Sequence, residues 1–144
     1  MNKKIENCGA RRLRGGCMSG SVTYEIADRF LYAINCHCSK CRRTTGSAFK
    51  PIAGVSVEDF AITAGADAIF RHGDSEGIHD IHCCSCGSLI YSWIAENDSV
   101  KVHIPMGTLI DPPSMKPSMH IFVGSKAPWY EILDDLSQFD GFPD

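Results

Sequence analysis

Cys36-His37-Cys38-Ser39-Lys40-Cys41 sets three thiols within six residues. Cys36 and Cys38 stand at i and i+2, so on an extended strand both side chains leave the same face. Cys41 returns after a short turn, and the three sulfurs converge as a tripod. A structural zinc takes four protein ligands, whereas a catalytic zinc keeps one position open. A local set of three is therefore a candidate open site. On a regular strand His37 points away from it. The spacing differs from the patterns of iron–sulfur ferredoxins.

A second cluster is Cys83-Cys84-Ser85-Cys86-Gly87. Two cysteines three apart and followed by glycine make a metal knuckle, in which the turn presents both sulfurs to one ion. Gly87 accepts the positive φ that aims backbone N–H groups at the thiolates. Cys84 lies between the two and projects elsewhere, so it is not counted as a ligand. Upstream, Gly15-Gly16-Cys17-Met18-Ser19-Gly20 offers one more thiol. Spacing alone leaves two assemblies open. One ion takes Cys38, Cys41, Cys83 and Cys86, or the tripod holds its own metal and the knuckle borrows Cys17.

Around these motifs the chain is one domain of ordinary size, with 144 residues, 44% of them hydrophobic. Eight cysteines are many for an intracellular protein, yet no apolar segment follows Met1-Asn2-Lys3-Lys4 as a signal peptide requires. The expected setting is cytoplasmic and reducing, where clustered thiols point to metal rather than disulfides. A thiol redox protein would instead form a disulfide within Cys36, Cys38 and Cys41. A net charge of −3 disfavours nucleic acid as a partner. No apolar run reaches the ~18–20 residues of a membrane span.

The remaining pattern is β. Ser21–Ile26 alternates, with Val22, Tyr24 and Ile26 on one face. Extended runs follow at 30–38, 49–55 (interrupted by Pro51), 60–63, 68–72, 78–83, 89–94, 100–104 and 120–123, with turn residues between them. Ser56-Val57-Glu58-Asp59 suits one helical turn, and Trp129–Leu136 is the weak candidate for a terminal helix. Residues 1–13, with Cys8, read as a flexible tail ahead of a mostly β zinc-binding domain over 14–144.

Taken in order, Gly15-Gly16-Cys17, Cys36-His37-Cys38-Ser39-Lys40-Cys41-Arg42-Arg43, Gly46-Ser47 and Cys83–Ser88 resemble the glutathione-dependent formaldehyde-activating enzyme family, which shares its domain with centromere protein V. The resemblance continues through Gly107-Thr108-Leu109, His120-Ile121 and Lys126-Ala127-Pro128-Trp129 to Gln138-Phe139. It implies a β-tent type fold with short helical turns and a catalytic zinc on Cys36, Cys38 and Cys41. It also implies a structural zinc on Cys17, position 19, Cys83 and Cys86. Ser19 departs from the second cysteine that family members often carry there. A hydroxyl is a poor zinc ligand near neutral pH, so the expectation is one tight zinc and a weakened second.

The implied activity is that of a carbon–sulfur lyase acting on a thiol adduct such as S-hydroxymethylglutathione, formed from glutathione and formaldehyde. Three thiolates around Zn²⁺ sum to −1, a centre better suited to activating an incoming thiol than to generating hydroxide. Arg42, Arg43 and Lys40 are candidates for the carboxylates of such a substrate. Phe49, Trp93 and Trp129 are candidate pocket aromatics, although aromatics in a β domain more often serve the core. The competing expectation is a non-catalytic zinc module that binds a protein partner.

Overall fold

The computed structural model describes residues 9–143. Two antiparallel layers dominate it. The smaller sheet orders β1 (Arg12–Gly16), β2 (Thr23–Ala27) and β5 (Phe60–Ala64). The larger runs β11 (Ser137–Gln138), β10 (Met119–Ile121), β3 (Tyr32–Cys36), β4 (Lys50–Ser56), β9 (Ser99–Pro105), β8 (Leu89–Glu96), β7 (His79–Cys83) and β6 (Ile69–Gly73). Only β10 pairs in parallel, with β3 on one side and β11 on the other. The mostly β reading holds, and no helix among the described residues is long and apolar enough to cross a membrane.

Period-2 alternation assigns the layers. Leu13, Val22, Tyr24 and Ile26 of the small-sheet side meet Ala33, Ala53, Val55, Val102 and Ile104 of the large sheet in the main core. On the other face of the large sheet, Ile34, Cys36, Ile52 and Ile121 form a second cluster with Tyr32, Met119 and Phe139. The two faces matter for function, because the Cys17 and Cys83 thiols lie in the first cluster and Cys36 in the second. Gly54 is needed where it stands. The Tyr32 ring crosses it to reach His103 on the next strand, and a Cβ there would meet ring carbons at 2.4 Å.

Several expectations change. The last two residues read as part of a tail, Arg12 and Leu13, belong to the fold, since β1 starts at Arg12 and Leu13 is fully buried. Its core-facing side chain is a single leucine between arginines, too little alternation to stand out. Cys8 lies outside the described residues. The turn before Cys41 is the start of a helix, α1 (Ser39–Thr45), closed by Gly46 at φ 62°. Trp129–Leu136 is not helical. Trp129 and Leu133 are 72% and 83% exposed, so no apolar stripe is buried, and the Lys126 ammonium takes the carbonyls of Ala127 and Tyr130. Pro51 does not break β4, because it sits one residue beyond the last pairing with β9, where a missing N–H is tolerated.

Candidate metal centre

The tripod forms where β3 runs into α1. Cys36 is the last residue of β3 and Cys38 is the N-cap of the helix, its Sγ accepting the Cys41 N–H at 3.3 Å. One helical turn then brings Cys41 back, and the three Sγ atoms lie within 4.8 Å of one another. Cys36 is buried, while Cys38 and Cys41 are half-buried and so reachable from outside. In the metal-free thiols a hydrogen bond from Cys41 lowers the Cys36 pKa, and the same bond raises that of Cys41. Three thiols converging at this spacing are a donor set that fits a soft divalent cation such as zinc.

His37 is turned out of this set. Its ring is fully buried on the other side of the strand, against Phe49 and Tyr130, with Nε2 2.8 Å from His120 Nδ1. His120 continues to the Asp134 carboxylate at 3.0 Å. Sequence reading placed His37 away from the tripod but did not connect it to His120 and Asp134, for which no local spacing gives a sign.

The second group joins Cys17, Cys83 and Cys86, again within 4.8 Å. Of the two assemblies that spacing left open, the thiols are grouped as the second. Cys83 ends β7, and Gly87 takes φ 78° to close the knuckle, its N–H reaching the Cys83 carbonyl at 2.9 Å. Ser85 N–H points to Cys83 Sγ and Val22 N–H to Cys17 Sγ, at 3.4 and 3.3 Å. Ser19 Oγ stands beside the group, 3.4 Å from Cys17 Sγ and 3.8 Å from Cys83 Sγ. Burial pushes the Cys17 thiol up, but hydrogen bonds from Ser19 and Val22 outweigh it and leave its pKa lowered. The Ser88 hydroxyl and N–H, followed by Ser19, lower Cys86 to about 5. Cys84 is exposed and outside both groups, and all seven described cysteines are unpaired.

The basic candidates separate. Arg42 is half-buried and its Nε donates to the Ser125 carbonyl at 3.1 Å, while Lys40 and Arg43 are exposed on α1. Among the aromatics, Phe49 packs beside His37, Trp93 joins the main core, and Trp129 lies largely in solvent. Ser47 is a turn residue whose hydroxyl donates to the Phe49 carbonyl.

A model of the family described as glutathione-dependent formaldehyde-activating enzyme matches residues 12–125, most of the chain and both thiol groups. A protein of Fusarium vanettenii that carries this enzyme name as a provisional one is 29% identical over 101 residues, covering 70% of this chain and 54% of its own length. The chain thus spans about half of that curated relative. A crystal structure of a Rhodobacter sphaeroides protein shares the fold with a TM-score of 0.56 and 21% identity, over 70% of this chain and 91% of that one. The ordered motifs, the two trithiol groups and the family match agree: this chain belongs to the glutathione-dependent formaldehyde-activating enzyme family.

Proposed function

We propose that this protein is a zinc-dependent carbon–sulfur lyase-type enzyme of β-tent fold, acting on the adduct of a small thiol and an aldehyde, with S-hydroxymethylglutathione as the type substrate. The observation that carries the reading is the tripod. Cys36, Cys38 and Cys41 converge, two of them within reach of solvent, while His37 is committed to His120 instead of completing the set. Among the described residues no further imidazole, thiol or carboxylate joins these three.

Zinc held there supplies a Lewis-acidic site that keeps an incoming sulfur in its thiolate form. The chain's own contribution is to hold three thiolates in fixed directions, with Cys38 oriented by the Cys41 N–H. Lys40 and Arg43, exposed on the same short helix as Cys41, would meet the carboxylates of a glutathione-like thiol. Arg42 would do so with the part of its guanidinium not used on Ser125. Cys17, Cys83 and Cys86 would hold a second, structural zinc, weakened at Ser19.

The test is exchange between glutathione plus formaldehyde and their adduct, followed by NMR with the spontaneous rate measured alongside. Wild-type protein should accelerate exchange and Cys38→Ser should not. Failure to accelerate it for glutathione and for several other small thiols would move the reading to a non-catalytic zinc module that binds a partner.

A further inference from the structure

The Cys17, Cys83 and Cys86 group offers an ion three sulfurs, and an oxygen where a fourth would stand. Cys17 closes a hairpin turn, its carbonyl accepting the Gly20 N–H at 3.1 Å and its N–H reaching the Val22 carbonyl at 3.0 Å. That turn holds Ser19 Oγ 3.4 Å from Cys17 Sγ and 3.8 Å from Cys83 Sγ. The oxygen already accepts the Ser21 N–H at 3.3 Å and is bonded to Ser21 Oγ at 3.1 Å. A neutral hydroxyl engaged in this way is no ligand for zinc, whose structural sites take four donors from thiolate, imidazole and carboxylate. Among the described residues no other imidazole, thiol or carboxylate joins the three sulfurs. The donor set therefore does not fit a closed four-ligand zinc site.

Three sulfurs are a complete set for a softer ion. Thiolates select univalent copper, and an ion that is satisfied by three ligands loses nothing when the fourth is missing. Three thiolates around Cu(I) carry −2, against −1 around Zn²⁺, so a copper site has more charge to disperse. Hydrogen bonds to the sulfurs do this. Cys17 Sγ accepts the Val22 N–H at 3.3 Å and Cys83 Sγ the Ser85 N–H at 3.4 Å. Cys86 Sγ lies 3.2 Å from the Ser88 hydroxyl, whose oxygen accepts the Met18 N–H and so leaves its proton to the sulfur. Each sulfur thus has its own N–H or O–H donor, and the Ser19 hydroxyl stands beside two of them. At the tripod, backbone N–H groups serve Cys36 and Cys38, whereas the Cys41 sulfur has the other two thiols as its neighbours. Cys83 is fully buried, Cys86 is half-buried and Ser19 is exposed, so an ion reaches the group from the Ser19 side.

We propose that Cys17, Cys83 and Cys86 form a three-sulfur site for a soft univalent cation, Cu(I), which takes this group ahead of the tripod. Ser19 sets the selectivity, as a hydrogen-bond donor to the sulfurs and not a ligand. The proposal rests on the metal-binding reading of this group and changes the ion it favours. The hydroxyl denies zinc its fourth donor and costs a three-coordinate ion nothing.

The experiment uses the reduced whole chain with zinc at the tripod, given one equivalent of Cu(I) without air, then alkylated and mapped by mass spectrometry. Cys86 reports for this group and Cys38 and Cys41 for the tripod, all three being half-buried. Cu(I) should protect Cys86 and leave the tripod its zinc. Chelator competition then gives the affinity of the group for each ion. Ser19→Cys should tighten zinc by about a hundredfold or more, one ligand's share of a four-ligand site. It should move Cu(I) by less than about tenfold, since three sulfurs already complete that ion. Should Ser19→Cys fail to fold, Ser19→His offers zinc an imidazole and is judged by the same ratio. Cys8→Ser, outside the described residues, and Met18→Leu, at an exposed position, should change neither affinity. Cu(I) found on Cys38 and Cys41 instead overturns the inference. So does a gain for Cu(I) in Ser19→Cys equal to the gain for zinc, or a loss of Cu(I) in Cys8→Ser or Met18→Leu. Protection of Cys86 by neither ion overturns the metal-binding reading of the group, and a tripod that takes no zinc overturns the functional reading.

Discussion

His37 Nε2 lies 2.8 Å from His120 Nδ1, a hydrogen bond between two fully buried rings. The Asp134 carboxylate, 3.0 Å from His120 Nε2, can only accept. His120 therefore carries a proton on Nε2 towards Asp134, and its Nδ1 shares a hydrogen bond with His37 Nε2. Burial above all pushes the His37 pKa down to about 4, in keeping with a neutral ring. The chain of bonds anchors the residue between Cys36 and Cys38 and keeps its ring out of the tripod.

That anchoring gives the first prediction. His120→Leu should destabilise the fold by about 1–3 kcal/mol, because it leaves the buried His37 Nε2 without a hydrogen-bond partner. Asp134→Ala should cost clearly less, since the carboxylate is half-exposed and its bond is screened. Urea denaturation of the two variants measures the contrast, and equal losses would contradict it.

His103 predicts a pH dependence. Burial, followed by Lys50 and Lys101, lowers its pKa to about 4, and the Tyr32 hydroxyl is 2.5 Å from Nε2. The folded state holds the ring neutral while the unfolded chain protonates near 6.5, so the unfolded state binds more protons between these values. Stability from this group is complete above pH 6.5 and falls as pH drops toward 4, by up to about 1.4 kcal/mol per pH unit for one proton. Melting of the metal-free, reduced protein should show this slope added to that of His37, whose pKa is lowered likewise, and His103→Gln should make it shallower.

Ser19→Cys should turn the Cys17, Cys83 and Cys86 group into a four-thiol site. The hydroxyl already stands 3.4 and 3.8 Å from two of the sulfurs. Zinc content after extensive dialysis should rise toward two equivalents and thermal stability should increase, because metal bound only by the folded chain adds to folding free energy. Two full equivalents in the wild type would contradict the weakened site.

Cys38→Ser and Cys83→Ser should separate activity from stability. The tripod closes only a short loop, whereas Cys83 ties β7 to the Cys17 turn across a long stretch of chain, and closing a long loop constrains the unfolded state more. In zinc-loaded protein Cys83→Ser should lower the melting temperature more than Cys38→Ser, and a chelator should remove most of the difference. Cys38→Ser should abolish turnover with the fold largely kept.

Local pattern was enough for part of this molecule. Alternation named most strands from Ser21 to Val123, and spacing alone brought Cys36, Cys38 and Cys41 together, since all three lie within one strand end and one helical turn. The knuckle at Cys83 and Cys86, with Gly87 at positive φ, was legible for the same reason. Tertiary structure decided what depends on strand order and register. It brought Cys17 beside a knuckle far along the chain, set Lys50 opposite Cys36, carried Tyr32 over Gly54 to His103, and joined His37 to His120 and Asp134. It also made a loop of Trp129–Leu136, whose apolar residues found no face to bury. A side chain's direction from its strand follows from its own position, but its neighbour across the sheet follows from the pairing of two strands, which neither strand's sequence states alone.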